Sequence, residues 1–346
     1  MSSKPLTIAG RLAGVAALFL LGVRLSLADI EPVLHDVLAR ELKFSAEDFV
    51  ALDRGGVVKH ALPPTGPGEV AVVGAVRVNA AVERLVDRVR DIVHFKRGPD
   101  VLQIGSFSSP PVLHDLDALS ITKDDLDLRD CRVGDCDVRL PADAIARFQR
   151  EIDWGARDAD QRAGALFKQV LLEHVRAYTS GGPALIVQYD DGKRKIRPHE
   201  DFLGLLKGSP YVRELAPGLA AHLEHFPWRS LPAAEDLLYW SKEKFGLSSF
   251  ITVTHVTIAP ASSGMRLFVS RDVYSSRYFD ASLAVTIAGD TRSEARAFYL
   301  VYANRSRANA LRGAFSGLRR AIVERRAKSS LEEHLRAVRT RLETGR

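Results

Sequence analysis

Apolar and polar residues alternate along the last third of the chain with a period of two. In five stretches between residues 235 and 307, apolar side chains recur at every second position, and short polar segments separate the stretches. This alternation is typical of strands with one buried face, and the short connections predict antiparallel hairpins. The five predicted strands are Glu235–Phe245, Phe250–Ala259, Met265–Tyr274, Tyr278–Ala288 and Arg296–Arg307.

A helical period follows these strands and also precedes them. Residues Ala314–Glu343 repeat apolar positions at spacings of three and four, which predicts one long amphipathic helix with a basic stretch in its middle. Glu69–Val78 is an apolar, β-rich stretch that leads directly into another helical pattern. We also predict short strands at Val57–Leu62, Val101–Phe107 and Pro183–Tyr189, and helices at Pro141–Trp154, Arg157–Thr179, Pro198–Leu206 and Tyr211–Phe226, the last broken by Pro217.

This order of elements predicts an α+β protein, in which a curved antiparallel sheet wraps a long C-terminal helix and carries an α-helical insertion. We expect residues 29–62 to form an N-terminal helical segment and residues 69–107 with 235–343 to form the sheet and its helix. Residues 108–234 then form the insertion. The pattern leaves open whether the helices of residues 141–226 form a lid or a separate domain.

Composition excludes several classes of protein. Of the 346 residues, 46% are hydrophobic and 27% are charged, which is typical of a globular protein and not of a disordered or polytopic membrane protein. Motifs for dinucleotides, phosphate loops, serine hydrolases and complete metal sites are absent from the sequence. We therefore predict no cofactor, no metal and no catalytic residue, and an enzyme is less expected than a binding protein.

The first 28 residues have the pattern of an export signal. Lys4 and Arg11 precede a short apolar run, and Ala28 ends a cleavage-site pattern of small residues. We predict cleavage after Ala28 and a periplasmic or extracellular protein; the alternative is an uncleaved anchoring helix. Removal of residues 1–28 lowers the formal net charge from +6 to +3, which gives no reason to expect nucleic-acid binding.

The two cysteines are five positions apart. Cys131 and Cys136 flank Gly134–Asp135, which can form a tight turn. In an oxidising compartment we expect them to form a local structural disulfide. The alternative is a redox-active pair, for which the C-x-x-C spacing is missing.

The order of strand, helix, interrupted middle, antiparallel strands and long C-terminal helix resembles the START-like, or helix-grip (SRPBCC-type), superfamily. The matching pieces are 69–93 and 235–343. Two further stretches, Tyr239–Glu243 and Tyr302–Ser306, are similar to those of exported bacterial proteins of unassigned function. The resemblance implies an apolar cavity between sheet and helix that binds lipids, sterols, polyketides or other apolar molecules, and some members are enzymes.

Five residues are candidates for binding such a ligand. His255, Arg271 and Arg305 interrupt apolar strand faces, and a charge there must be paired or must meet a ligand. We expect Arg271 or Arg305 to hold an anionic head group, with His255, Tyr274 and Tyr302 as hydrogen-bond partners. This makes an apolar or amphipathic small molecule the expected partner.

Other roles for these residues remain open. Asp272, Asp280 and Glu243 are near enough in the predicted sheet to neutralise both arginines internally. We expect the cavity to be lined by Val253, Val269 and Leu283 together with the terminal helix.

Two further functions compete with ligand binding. One is an enzyme on the same scaffold that uses His255 with Asp280 or Tyr302 as an acid–base pair. The other is an envelope protein that docks an anionic membrane or a partner through the basic helix. The basic residues concerned are Arg312, Arg319, Arg320, Arg325, Arg326 and Lys328.

Overall fold

Most of the strands belong to one antiparallel sheet. The computed structural model describes residues 29–192, 194–245, 248–292, 296–313 and 316–345. The strands are β1 (Val57–Ala61), β2 (Glu69–Val78), β3 (Val101–Ser106), β4 (Tyr189–Asp191), β5 (Arg194–Ile196), β6 (Glu235–Phe245), β7 (Ser248–Pro260), β8 (Arg266–Ser275), β9 (Ala281–Asp290) and β10 (Phe298–Arg307). The eight-stranded sheet has the order β1-β2-β10-β9-β8-β7-β6-β3, and β4 pairs with β5 separately.

Helices cover both faces of this sheet. They are α1 (Pro32–Arg40), α2 (Ala46–Asp53), α3 (Val82–Arg90), α4 (Ile92–Phe95), α5 (Ala142–Glu151), α6 (Ala159–Gly181), α7 (Pro198–Lys207), α8 (Tyr211–Leu215), α9 (Leu219–His225) and α10 (Ser316–Thr344). The α+β class, the five-stranded antiparallel meander and the long C-terminal helix are therefore confirmed. Of the helices in the described ranges, none combines the length and the apolar character needed to cross a membrane.

Of two local predictions, one is confirmed and the other is wrong. The break at Pro217 is confirmed, because α8 ends at Leu215 and α9 begins at Leu219. The strand predicted at Pro183–Tyr189 is wrong: this segment begins with a single 3₁₀ turn, and pairing starts only at Tyr189. Its apolar residue Ile186 packs into the core around α6, so the segment follows a helix surface and pairs with no strand before Tyr189.

The inner face of the sheet, defined as the face that α10 contacts, has a core of its own. Val72, Val76 and Val78 of β2 pack there against the apolar side of α10 and against α3. The α10 residues in this core are Leu331, Leu335, Val338 and Leu342. They are the second set of apolar positions that the helical period of the sequence selects, and this set faces the sheet. Leu318 and Ile322 of the first set are exposed.

Close approach of α10 to β2 depends on a glycine. A Cβ atom at Gly74 would lie 2.8 Å from Leu335 Cδ1 and 3.1 Å from Leu331 Cδ2. The helix lies over β1 and β2, which form one side of the sheet. Lys59 of β1 forms an ion pair with Glu332 on the same helix.

The outer face of the sheet is sealed by the other helices. Val73, Val285 and Val301 point into a core that α1, α2 and α7–α9 complete, and each is fully buried. On the same outer face, but nearer the β3 edge of the sheet, Trp240 and Val253 pack against α5 and α6 of the predicted insertion. The outer face of the sheet therefore packs against the N-terminal and middle helices, while α10 lies on the inner face.

We predict that Gly74→Val displaces α10 and destabilises the protein. The added methyl groups have no space between β2 and Leu335, and overpacking of this kind costs about 1–3 kcal/mol. Urea unfolding measures the change in the free energy of unfolding. Gly317→Ala is the control, because position 317 of α10 has nothing within 4 Å and alanine there should stabilise the helix by up to about 1 kcal/mol. Equal stability of Gly74→Val and wild type would contradict the predicted close packing.

Candidate functional site

Part of the inner face is left uncovered at the centre of the sheet. Along β8, β9 and β10 the outer-face side chains from Leu267 to Arg305 are buried. On the inner face Phe268, Phe298 and Leu300 are buried too, but the side chains farther along these strands are partly exposed. We call this area the inner cleft. Its floor consists of small or polar side chains: Ser270, Asp272, Ser282, Ala284, Thr286, Tyr302, Asn304 and Ser306.

Strand register places these residues side by side. Tyr302 lies opposite Gly74 on one neighbouring strand and opposite Thr286 on the other. Because position 74 faces α10, its cross-strand partner Tyr302 faces the same way, and so does Thr286, the partner of Tyr302 on the next strand. Asn304 and Ala284 form the next pair along the same face. The floor therefore spans three adjacent strands and borders the helix.

Side chains of α10 and of the segment after α4 border this floor. On one side His334 of α10 packs its ring 5.8 Å from the ring of Tyr302. On the other side Lys96 forms an ion pair with Glu243 at 2.7 Å and lies 5.8 Å from the ring of Tyr239. Arg341 of α10 closes one end, because its guanidinium donates to the carbonyl groups of residues 95 and 97.

Hydrogen bonds and burial set the charge of the floor. Asp272 accepts from Ser282 Oγ at 2.6 Å and from Thr254 Oγ1 at 3.2 Å. Burial raises the pKa of Asp272, and it raises the pKa of Tyr302 to about 12. Tyr302 is thus a protonated hydroxyl at neutral pH. The floor offers hydroxyl groups, an amide and a carboxyl, a set that suits an uncharged polar group.

Of the five residues selected from the sequence, the inner cleft contains Tyr302. Arg271, Arg305 and His255 belong to the outer face, where the alternating positions of their strands meet the other helices. The expectation that Val253, Val269 and Leu283 line a cavity with the terminal helix is wrong. These three residues are at most 1% exposed and pack against the outer-face helices, because α10 covers the other side of the sheet.

Arg271 is enclosed by aromatic rings and one carbonyl group. Its guanidinium lies 3.9 Å from the ring of Phe202 and 5.7 Å from that of Tyr178. Nη1 donates to the carbonyl oxygen of Leu223 at 3.1 Å. Burial lowers the pKa of Arg271. The side chain ties α6, α7 and α9 to the sheet.

Arg305 has its partner within the chain. Its Nη1 donates to Glu69 Oε1 at 2.7 Å and to the carbonyl oxygen of Pro63 at 3.1 Å. Glu69 is fully buried, and Arg307 lies 3.6 Å from its other oxygen. Internal pairing of Arg305 therefore occurs, but with Glu69 and not with Asp272, Asp280 or Glu243.

Tyr274 and the proposed acid–base partners are also placed apart from the inner cleft. The hydroxyl of Tyr274 donates to the carbonyl oxygen of Arg139 at 3.0 Å, and its ring packs against α6. Asp280 forms an ion pair with Arg139 at 2.8 Å. His255 contacts neither Asp280 nor Tyr302, because its strand turns it toward α6.

His255 belongs to a buried chain of hydrogen bonds. Burial raises the pKa of Tyr178 to about 12, so its hydroxyl is protonated and donates to His255 Nδ1 at 2.5 Å. The Nε2 atom then carries the proton and donates to Asp236 Oδ1 at 2.9 Å. Both ring nitrogens are occupied, which leaves neither for a substrate. The acid–base role suggested for His255 has no free nitrogen to act with.

His222 carries the positive charge in this network. Its Nδ1 bonds the carbonyl oxygen of Arg229 at 2.6 Å, and its Nε2 bonds Asp236 Oδ1 at 3.1 Å. Both partners accept, so both nitrogens must carry protons. The hydrogen bond to Asp236 accordingly raises the pKa of His222, while burial lowers that of His255. For Asp236, burial acts to raise the pKa, but the hydrogen bonds from both histidines outweigh it and lower the pKa.

Several cleft residues were missed by the sequence analysis, including Lys96, Asp272 and His334. One signal was present in β9, where Ser282, Ala284 and Thr286 alternate with the apolar set. In such a strand the small side chains indicate the partly exposed face, and the alternating large apolar side chains Leu283, Val285 and Ile287 indicate the buried face. No group of three or more histidine, cysteine or acidic side chains suited to a metal ion occurs in the parts of the chain that the structure describes.

Cys131 and Cys136 form the predicted local disulfide, with Cα atoms 4.6 Å apart. The export signal predicted at residues 1–28 lies outside the described residues. The division into an N-terminal segment, a helix-grip domain and an insertion stays a prediction.

Comparison with known proteins gives one fold similarity. The chain is similar to the solved structure of a STAR-related lipid transfer protein (fragment 25–204) from Xanthomonas axonopodis, with 11% sequence identity and a TM-score of 0.36. The match covers 81% of this chain and 94% of that chain. An antiparallel sheet with the C-terminal helix on one face fits the helix-grip topology expected from the sequence. No protein-family model and no curated protein matches the chain, and a similarity this low assigns it no ligand or residue role.

We predict that the contribution of His222 to stability falls as the pH rises above about 6.5, the ordinary pKa of histidine, whereas histidines with lowered pKa values act in the opposite direction. A raised pKa in the folded state means that protonated His222 stabilises the protein at low pH. This contribution is lost as the pH rises through the folded-state pKa. His222→Gln removes the titrating group, so urea titrations should give a smaller difference in the free energy of unfolding between wild type and this variant at pH 8 than at pH 6.

His114→Gln is the control for this experiment, because His114 has an 88% exposed side chain. It should reproduce the wild-type dependence on pH. If the difference in the free energy of unfolding between wild type and His222→Gln is the same at pH 6 and pH 8, the charged state assigned to His222 is incorrect.

Proposed function

We propose that this protein binds an amphipathic small molecule in the inner cleft. The observation that carries the proposal is the contrast between the two faces of β8, β9 and β10. The outer face is buried from Leu267 to Arg305, whereas one part of the inner face of the same central strands is partly exposed and has small or polar side chains. A sheet face built from serine, alanine, threonine and asparagine leaves room that larger apolar side chains would fill.

The floor favours an uncharged polar group on the ligand. Arg271 and Arg305 were expected to hold an anionic head group, but both have internal partners on the outer face. Lys96, at the edge of the inner cleft, forms an ion pair with Glu243. The hydroxyl groups of Ser282, Thr286 and other floor residues instead match a hydroxylated, uncharged head group.

The apolar part of the ligand fits the helix side of the inner cleft. Ala327 of α10 is partly buried against the same core as Leu331, and His334 lies one helical turn from both Leu331 and Val338. A short chain or ring placed along this wall would be removed from water. Burial of apolar area contributes about 25 cal/mol per Å², so the tail would supply most of the affinity.

Export is part of the proposal. A disulfide forms and persists in oxidising compartments, and the bond between Cys131 and Cys136 supports a location outside the cytoplasm. The pattern of residues 1–28 points the same way.

A second candidate function is contact with an anionic membrane. In the first half of α10, Leu318 is 65% exposed and Ile322 is 50% exposed, one turn apart on the same side. Arg325 and Arg326 follow within the next turn and are exposed. Exposed apolar residues beside basic ones are typical of helices that lie on anionic lipid. Because α10 also forms a wall of the inner cleft, such contact would bring the cleft to a membrane.

Filling the inner cleft is expected to weaken ligand binding. Ala284→Trp places an indole on the floor, and we expect the affinity for a fluorescent monoacylglycerol to fall at least about tenfold in a fluorescence titration. Ala321→Trp adds the same ring to an exposed position of α10 and should bind like wild type. The same probe with a fatty-acid head group should bind less tightly to wild type. Absence of monoacylglycerol binding by wild type, or unchanged binding by Ala284→Trp, would contradict the proposal.

Membrane contact is tested with the double substitution Leu318→Asp and Ile322→Asp. We expect wild type to sediment with phosphatidylglycerol vesicles at low salt and less at high salt, because salt screens the basic residues. The double variant should remain in solution under both conditions. Val133→Asp replaces a 53% exposed apolar residue elsewhere and should sediment like wild type. Sedimentation that ignores both salt and the substitutions would exclude this role for α10.

A further inference from the structure

A group of arginine side chains lies where the end of β10 meets β5 and the start of α7. We call Arg194, Arg307 and Arg312 the arginine cluster. Arg307 donates from Nη1 to Asp201 Oδ1 at 3.0 Å, and Nη2 of Arg312 lies 3.7 Å from the same oxygen. Arg194 donates from Nη1 to Asn309 Oδ1 at 3.1 Å. Because Asn309 begins the 3₁₀ turn that ends just before Arg312, these contacts bring the three arginines together.

Positive charge exceeds negative charge among the side chains that these contacts join. Ion pairs and hydrogen bonds connect the arginine cluster to further arginines and to several carboxylates. The arginines are Arg139, Arg194, Arg305, Arg307 and Arg312, and the carboxylates are Glu69, Asp191, Asp201 and Asp280. One guanidinium charge is therefore left without a carboxylate in a largely buried setting, which is unfavourable unless an anion joins it.

Arg312 is the member without a close partner. Its separation of 3.7 Å from Asp201 is too long for a hydrogen bond, and its guanidinium donates none to the residues that the structure describes. Nε is buried without a partner, whereas Nη1 and Nη2, which also lack one, are open to solvent. The side chain is 22% exposed. Arg312 thus presents two free donors to a molecule that arrives from solvent.

Arg194 adds donors beside those of Arg312. Its Nη2 and Nε have no partner within the described part of the chain and are likewise open to solvent. Burial and the charge of Arg194 lower the pKa of Arg312, and Arg194 has a larger effect than Asp201 at 3.7 Å. Because Coulomb energy falls with distance, the two guanidinium groups are close neighbours. They repel each other, and an anion in contact with both would remove that repulsion.

Glycines fit the backbone around these side chains. A Cβ atom at Gly68 would lie 2.8 Å from Nε of Arg312. Cβ atoms at Gly66 and Gly204 would lie 2.8 Å and 2.6 Å from the terminal nitrogens of Arg307. The close backbone holds the guanidinium groups in place, so the arginine cluster is ordered before a ligand binds.

The arrangement of donors favours a phosphate group over a carboxylate. A carboxylate has two oxygens, which pair with the fork of a single guanidinium group. A phosphomonoester has three terminal oxygens and a charge of about −1.5 to −2 at neutral pH, so it can accept from two guanidinium groups at once. Arg194 and Arg312 supply such a pair.

We propose that Arg194 and Arg312 bind a phosphomonoester group, carried either by an anionic lipid or by a soluble molecule. A lipid is compatible with the position of the site, because Arg319 in the first turn of α10 donates to the carbonyl oxygen of Arg312 at 2.9 Å. The exposed side chain of Leu318 is its neighbour in sequence. The site goes beyond the proposed function, because it lies beside α7 on the outer side of the sheet and the inner cleft lies on the other side.

Inorganic phosphate is the first probe, because it has no apolar part that could bind elsewhere. In calorimetric titrations of the full chain at constant ionic strength, Arg312→Gln and Arg194→Gln should each weaken phosphate binding at least about tenfold. Arg312→Lys keeps the charge without the fork and should give an intermediate affinity. Arg157→Gln removes the same charge from an exposed position between α5 and α6 and should bind like wild type. Acetate should bind wild type less tightly than phosphate.

Dioctanoyl phosphatidic acid identifies the source of the phosphate group. Tighter binding of this lipid than of phosphate, lost in the double variant Leu318→Asp and Ile322→Asp, would indicate a lipid ligand. Equal affinities would indicate a soluble phosphomonoester. Both results support the site, provided that Arg312→Gln weakens binding. The lipid titration is made with Ala284→Trp as well as wild type, so that binding in the inner cleft is recognised.

Thermal unfolding shows whether the variants are folded and gives a second measure of binding. Phosphate should raise the melting temperature of Arg312→Gln less than that of wild type or Arg157→Gln, because a ligand stabilises the folded state that binds it. Without phosphate, Arg312→Gln should be at least as stable as wild type, since the side chain donates no hydrogen bond and is repelled by Arg194.

Three results would each overturn the proposal. They are no binding of phosphate by wild type, unchanged affinity in Arg312→Gln, and an equal rise in melting temperature for Arg312→Gln and wild type. Arg312→Gln should still bind the monoacylglycerol like wild type. Loss of phosphate binding and loss of monoacylglycerol binding therefore test separate sites.

Discussion

The contact between α10 and β2 decides where this protein can hold another molecule. Leu331 and Leu335 approach the sheet closely because position 74 is a glycine, and the helix is thereby placed over β1 and β2. The apolar side of α3 covers other inner-face residues such as Phe268. The inner face of β8–β10 between them is left with small and polar side chains. A helix placed over the middle of the sheet would bury this floor and leave its hydroxyl groups without water or ligand.

The outer face has the opposite character, because its buried titratable side chains include a hydrogen-bonded network around Asp236. Asp236 accepts hydrogen bonds from His222, His255 and Thr257, and Tyr178 completes the chain from α6. A network with occupied donors and acceptors holds α6 and α9 against the sheet in one arrangement. His255, a candidate site residue in the sequence, is thus part of a structural network. This network lies on the face of the sheet opposite to the inner cleft.

The floor of the inner cleft consists of small or polar side chains on three adjacent strands, which suits the polar part of an amphipathic molecule. Specificity for such a ligand would come from the hydroxyl groups of this floor.

The sequence by itself determined the strands of residues 235–307, the long terminal helix, the local disulfide and the α+β class, because periodicity and short spacing are local properties of the chain. It could not decide which face of each strand meets α10. The apolar residues Leu283, Val285 and Ile287 of β9 are compatible both with a cavity wall and with a solid core. A period of two shows that a strand has two different faces, but it does not show which element packs on each face. Nor could it pair Arg305 with Glu69, which is 236 positions away. Only the tertiary structure decided these points, because the packing of distant helices determines which side of a sheet is closed to water.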